Sequence, residues 1–441
     1  MIRLLISFLF LFSSLFLLDS KAQKVYSLRD CLEEGFENNY SLRISRNMEE
    51  IAHNNATRAN AGQLPEVSAS LSYTLGENSS DIKSRTGSDS HTRHLFNQWI
   101  GAGIDVNYTL FDGFNSSNSY KRLKELELQG ETATRIQLED FIAGLTAEYY
   151  NLVQQELRLK NLLFAVKLSK ERLRIVEARY SIGNFSRLDY LQAKVDFNAD
   201  SANYINQQQN VAASRINLNE LMAIQDVSSP ISIKDTSINV NISLDYNDLL
   251  ASTLTTNSSL LSANQNIRLA ELNYKIVASR DYPILRLNAG YDYGINLYGS
   301  GATRNSANWG AGAGLSLSFD IWDGKRKNQK RNARVEVLNS ELALQQLELT
   351  LKSDLANMWQ AYLNNLRLLN LERDNLEAAF ENYDIAKDRY MLGDLPGIDM
   401  REAQKSLLDA QERILTAEYN AKITEISLML ISGKIASYFT D

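Results

Sequence analysis

The sequence predicts an α+β membrane protein with two internal repeats, in which pairs of strands alternate with long antiparallel coiled-coil hairpins. Three observations lead there. A helix-reversal motif, Arg179-Tyr180 with Gly183, Ser186 and Asp189 beyond it, returns 210 residues later as Arg389-Tyr390 with Gly393 and Asp399. Four segments alternate apolar residues with small or polar ones, the period of a half-buried strand. Proline occupies only four of 441 positions, which leaves long helical patterns unbroken.

At the N-terminus Arg3 precedes an apolar run from Leu4 to Leu18, and Ser20-Lys21-Ala22 offers small residues for cleavage. Residues 1–22 are therefore expected to be a secretory signal peptide, with Gln23 opening the mature chain. The apolar run is short for a spanning helix. Cys31 is the only cysteine, so no internal disulfide forms, and Leu28-Arg29-Asp30 before it lacks the small residues of a lipoprotein cleavage site. A net charge of −7 without Lys/Arg runs argues against a nucleic-acid partner.

The first repeat spans residues 23–227. Residues 27–63 read as helix from an N-cap at Ser27, with Asn38-Asn39 as an interruption point. Leu64-Pro65 ends it, because the residue before proline is driven out of the α region. Strands at about 66–75 and 99–111 follow. In the first, Val67, Ala69, Leu71, Tyr73 and Leu75 alternate with serines and Thr74; in the second, Ile100, Ala102, Ile104, Val106 and Tyr108 alternate with Gly101, Gly103, Asp105 and Asn107. Residues 76–96 between them read as a polar loop, and Phe111-Asp112-Gly113 closes the second strand. From about Asn115 to Tyr180, residues such as Leu138, Ile142, Leu145, Tyr149 and Leu152 keep a coiled-coil seam. At about 1.5 Å per residue that helix reaches roughly 100 Å. Beyond Gly183 the chain returns as helix to about Leu221.

Residues 228–245, with Pro230, form the linker between repeats. The second repeat, 246–432, restates the order. Helix 247–279 ends at Tyr282-Pro283, strands at about 284–297 and 309–322 close on Trp322-Asp323-Gly324, and helix 326–390 reverses at Gly393 into a last helix. A tail, 433–441, remains.

Each strand has about the ten residues that a tilted membrane-spanning strand needs. Four such strands cannot span alone, since open edges in hydrocarbon leave backbone groups without partners. Three copies sharing one barrel supply twelve strands, with the polar faces lining a wet lumen. Trp99, Tyr108, Trp309 and Trp322 near strand ends suit interfacial girdles. A soluble β-domain inserted in a helical protein also explains the alternation, but neither the signal peptide nor the doubling.

Together the two reversal motifs, the Leu64-Pro65 and Tyr282-Pro283 approaches and the two Asp-Gly strand exits resemble the TolC-like outer-membrane efflux family, across essentially the whole mature chain. The resemblance implies a homotrimer, four strands per chain completing a twelve-stranded transmembrane β-barrel in outer-membrane lipid, continued by an α-helical barrel through the periplasm. It implies a channel without cofactor or covalent chemistry. Such a channel is the exit duct of a tripartite efflux system, joined through a periplasmic adaptor to an inner-membrane pump of the RND or ABC type. The reversals then become adaptor-docking tips, carried by Arg179, Tyr180, Gly183, Asn184, Ser186, Arg389, Gly393 and Asp394. Tyr390 and Asp189 fall where members of the family hold the entrance closed, and Asp399 and Glu402 where acidic residues ring the pore. Leu395 replaces an arginine found in some members, which thins that closing network.

Plainer roles exist for the same residues. Gly183 and Gly393 serve as helix C-caps, and Asp189 and Asp399 as first-turn acids favoured by the helix dipole. His91 and His94 lack neighbours at metal-ligand spacing and are expected as solvated loop residues. No GxSxG, HExxH, Walker or CxxC pattern occurs, so no enzyme is expected. Two other functions fit parts of the pattern: the exit duct of a type I polypeptide secretion system, and a structural trimeric coiled-coil surface protein. The mid-chain strand pairs separate the last from the other two.

Overall fold

The computed structural model describes residues 25–183, 185–299 and 303–440; the expected signal peptide and Asn184 lie outside them. A short strand, β1 (Val25–Tyr26), leads to α1 (Leu28–Asn38), which opens on a capping box: Ser27 accepts from the Asp30 amide while the Asp30 carboxylate accepts from the Ser27 amide. Asn39 breaks the helix, as expected, and α2 (Tyr40–Asn55) follows. The predicted helix stops there, eight residues short of Gln63, because Gly62 at φ +76° and the Asn60 side chain, donating from Nδ2 to the Asn55 carbonyl, turn the chain first.

The strands β2 (Glu66–Ile82) and β3 (Ser90–Phe111) are longer than predicted. Residues 76–96, expected as a polar loop, continue the ladder from Gly76 opposite Asn97 to Ile82 opposite Ser90, with a bulge near Asn78 and Ser80. A hairpin wet on both faces pairs through backbone alone, so it carries no alternation for a sequence to display. The helical hairpin α3 (Asn115–Ser181) and α4 (Arg187–Leu221) comes next, then β4 (Ser232–Ile233), which pairs in parallel with β1.

The second half repeats the order as α5 (Tyr246–Thr256), α6 (Ser258–Ala278), β5 (Ile284–Tyr298), β6 (Asn305–Ser318), α7 (Gly324–Leu392) and α8 (Gly397–Ile431), ending in α9 (Ser437–Thr440). Helix 247–279 is broken at Asn257, a break the sequence reading missed. Asn257 repeats the work of Asn39. The Asn39 side chain donates to the Leu221 carbonyl and accepts from the Leu42 amide, and Asn257 does the same with Ile431 and Leu260. β6 ends at Ser318, before Phe319, Ile321 and Trp322, where Arg326 donates to the Asp320 carbonyl at 3.1 Å and turns the chain into α7.

Two compact units result, and neither coincides with a sequence half. The helical unit gathers described residues up to Arg46, Thr134–Leu260 and those from Leu347 onward. Its largest core joins Leu32, Leu42, Ile142, Leu145, Tyr149 and Leu152, with Cys31 fully buried among them. The sheet unit comprises Asn47–Ala133 and Leu261–Gln346. It holds one antiparallel sheet in the order β2-β3-β5-β6, with β2 and β6 at its edges. The first Asp-Gly exit is built as a turn, whereas the second runs straight into α7 at Gly324: Gly113 has φ +67°, and a Cβ there would lie 2.3 Å from the Ser279 carbonyl oxygen. Asp112 then accepts from the Ser116 amide at the start of α3.

Register separates the two faces of this sheet. Leu71, Ala102, Tyr293 and Trp309 stand in one row, and Ser70, Gly103, Asp292 and Gly310 in the next. Acid faces glycine here: a Cβ at Gly103 would come within 2.4 Å of Asp292 Oδ1, and one at Gly290 within 2.8 Å of Asp105 Oδ1. Trp99 is not with the apolar residues. It shares the parity of Gly101 and Gly103, and its indole lies over Gly101 and Gly294, on the polar face. Trp309 does keep the apolar face, stacked on Tyr293 at 6.5 Å.

Candidate functional site at the helix reversals

Both reversals belong to the helical unit, and both begin in the same way. α3 ends two residues before Gly183, which takes φ +82° and donates to the Tyr180 carbonyl at 3.0 Å. α7 ends just before Gly393, which takes φ +89° and donates to the Tyr390 carbonyl at 3.1 Å. Nothing lies within 4 Å of a Cβ built on either, so glycine is required for its backbone alone.

The chain then re-enters helix by two different caps. Ser186 caps α4 in a capping box: its hydroxyl accepts from the Asp189 amide at 3.2 Å, and Asp189 Oδ2 accepts from the Ser186 amide and hydroxyl at 3.1 and 2.7 Å. Pro396 holds the same position before α8 and has no side-chain cap, because proline lacks both the hydroxyl and the N–H. Asp399, the counterpart of Asp189, therefore stays exposed without a side-chain partner among the described residues. Glu402, one turn on, is exposed as well. Asp394 is exposed, with its amide on the Arg389 carbonyl at 2.9 Å.

The matched Arg-Tyr pairs diverge in the same way. Tyr180 is 40% exposed and stacks on Tyr190 at 5.6 Å, whereas Tyr390 is 3% exposed and packs with Tyr383, Met400 and Leu407. Arg179 lies over the rings of Phe185 and Tyr390 at 5.4 and 5.7 Å and donates to the Met391 carbonyl at 3.3 Å, so it bridges both reversals. Arg389 is exposed and forms no ion pair among the described residues. The Tyr390 hydroxyl has no hydrogen-bond partner among the described residues, and Asp189 is committed to its cap, so the two are not bonded to each other. Burial raises the Tyr390 pKa, with the Arg172 and Arg179 charges acting against that rise.

A network of charges between the hairpins lies two turns deeper along α8 and involves residues the sequence reading passed over. Arg401 of α8 grips Asp200 of α4 with two bonds of 2.8 and 2.9 Å and lies 3.8 Å from Asp196. Arg172 of α3 pairs with the same Asp196. Four charges thus alternate across three helices in a largely buried setting. A sequence signal existed: two acids four residues apart on a helix otherwise destined for packing. Beside this network Tyr390 and Asp189 share the wall of a cavity of about 500 Å³.

Comparison with known proteins fits this architecture. The family model described as outer membrane efflux protein matches residues 32–223 and again 249–434. The outer membrane efflux protein BepC of Brucella suis is 20% identical over 93% of this chain and 86% of its own. The solved structure of the outer membrane protein VceC of Vibrio cholerae covers 92% of this chain and 96% of its own at TM-score 0.74 and 16% identity. The CmeC outer membrane channel of Campylobacter jejuni covers 92% and 85% at TM-score 0.74 and 17% identity.

Proposed function

The chain belongs to the outer membrane efflux protein family, and from that premise we propose that it is the trimeric exit duct of a tripartite efflux system. In this role three chains complete a twelve-stranded barrel in the outer membrane, and the helical hairpins meet a periplasmic adaptor at their reversals. The adaptor links the duct to an inner-membrane pump of the RND or ABC type, and small molecules pass outward without covalent chemistry.

One observation carries the membrane part. The sheet exposes an apolar face, with Leu71 82% and Leu315 67% exposed, while its edge strands β2 and β6 have no further neighbour among the described residues. Lipid answers the face, and strands of further copies answer the edges. The opposite face, with its Asp, Ser and Gly rows, is suited to a wet lumen.

At the reversals, exposed Asp399 and Glu402 supply acid to the pore ring, and Tyr390 and Asp189, which line one cavity without a hydrogen bond between them, belong to the closed entrance. Membrane fractionation and heat-modifiable gel mobility test the barrel; a soluble periplasmic monomer overturns it. Tyr390→Phe combined with Asp189→Ala is expected to raise single-channel conductance in planar bilayers, and unchanged conductance removes both residues from the gate.

A further inference from the structure

The polar face of the sheet carries a hollow of about 460 Å³ lined by both a tryptophan and a free carboxylate. The Trp99 indole lies against backbone on one side: a Cβ on Gly101 would be 2.3 Å from two atoms of its six-membered ring, and one on Gly294 3.1 Å from its nitrogen. Trp99 is still 40% exposed, so the side turned away from those glycines is accessible. One row along, Asp292 leans from β5 over β3, where its Oδ1 would be 2.4 Å from a Cβ on Gly103. Gly101 and Gly103 are two residues apart on β3, which sets ring and carboxylate about 7 Å from each other. Asp292 is exposed and forms no hydrogen bond or ion pair with a described residue. On the β6 side a Cβ on Gly310 or Gly312 would meet nothing within 4 Å, so the hollow there is open space.

The two groups favour one kind of molecule. An indole face open to water favours a flat apolar partner, and its negative quadrupole favours a cation. Asp292 is the only charged residue lining the hollow. Asp105, in the next row with its Oδ1 2.8 Å from a Cβ on Gly290, adds a second carboxylate. Arg286, the cation of β5, stands six residues from Asp292, about 20 Å along the strand. We propose that this hollow binds a planar aromatic cation, its ring system stacked on Trp99 and its charge facing Asp292. An anion of the same shape is repelled by both carboxylates, and a small hydrated cation leaves the ring uncovered. As a binding site the hollow needs only the folded sheet; as a station for outgoing cargo it rests on the duct reading of this face.

N-methylacridinium, a flat tricycle with a permanent positive charge, and acridine-9-carboxylate, a similar tricycle with a negative one, are the probes. Equilibrium dialysis against the purified full chain in nonionic detergent is expected to show saturable binding of the cation and about tenfold weaker binding of the anion. Asp292→Asn removes the charge at constant shape and should weaken cation binding about threefold, the scale of one exposed ion pair. Trp99→Leu keeps an apolar side chain without the aromatic face and should weaken it about tenfold. Both side chains are exposed, so neither substitution opens a core. Binding that does not saturate, that is equal for the two probes, or that survives either substitution overturns the site. Membrane fractionation decides the duct reading separately: a soluble monomer that still binds the cation keeps the site and loses the duct.

Discussion

At Gly183 the chain turns at φ +82° and at Gly393 at φ +89°, each donating to the carbonyl of a tyrosine three residues back. From there the two reversals part. In the first, the acid at the third helical position is held by its own N-cap serine; in the second, proline replaces the serine and the acid stays free. In the first, the tyrosine is half out on the surface; in the second, it is inside. One substitution at the cap thus decides whether an aspartate serves helix stability or remains available to the solvent and to neighbours. The pair teaches that two turns of matching backbone need not carry matching chemistry.

The largest test separates the reversals from the network beneath them. Arg401→Met leaves Asp200 buried without its partner and should cost about 3–5 kcal/mol of local stability, read as a lowered thermal midpoint. Adding Asp200→Leu should recover most of that loss, and failure to recover would mean the two residues act independently. Gly183→Ala and Gly393→Ala should each cost about 1–2 kcal/mol, because only the left-handed backbone is at stake and no neighbour is crowded. Unequal costs, measured by hydrogen exchange around each turn, would break the backbone equivalence.

Ser186→Ala should cost about 1 kcal/mol by removing a cap, whereas Pro396→Ser should add about 0.5–1 kcal/mol by building the missing one over Asp399. Amide protection at residues 187–190 and 397–400 reads both, and the signs must be opposite. Tyr390→Phe alone should cost no stability and should raise it by up to about 1 kcal/mol, since its buried hydroxyl holds no bond among the described residues.

Much of the fold was legible in the residues. Ser27 was readable as a cap, Pro65 and Pro283 as boundaries, and the four strands as alternation. The hairpin extension over residues 76–96 was not, because backbone pairing in water imposes no side-chain period. The break at Asn257 escaped although Asn39 offered its template, since its cause is a carbonyl 174 residues away. The polar face claimed Trp99 for the same kind of reason: glycines on two strands, brought level by register, make room for its ring.

At the candidate site the division is sharper. The positions of both turns follow from glycine and from the patterns around it, because a helix end depends on residues within one turn of it. That Asp189 is capped and Asp399 free was also within reach, since Ser186 and Pro396 stand three residues before them. The burial of Tyr390, the bridge made by Arg179 and the grip of Arg401 on Asp200 were not. Those contacts join residues about two hundred apart in the chain, and only the packing of one hairpin against the other brings them within bonding distance. Sequence alone determined where the chain turns; tertiary packing decided which charges and hydroxyls meet there, because electrostatic partners are set by distance in space.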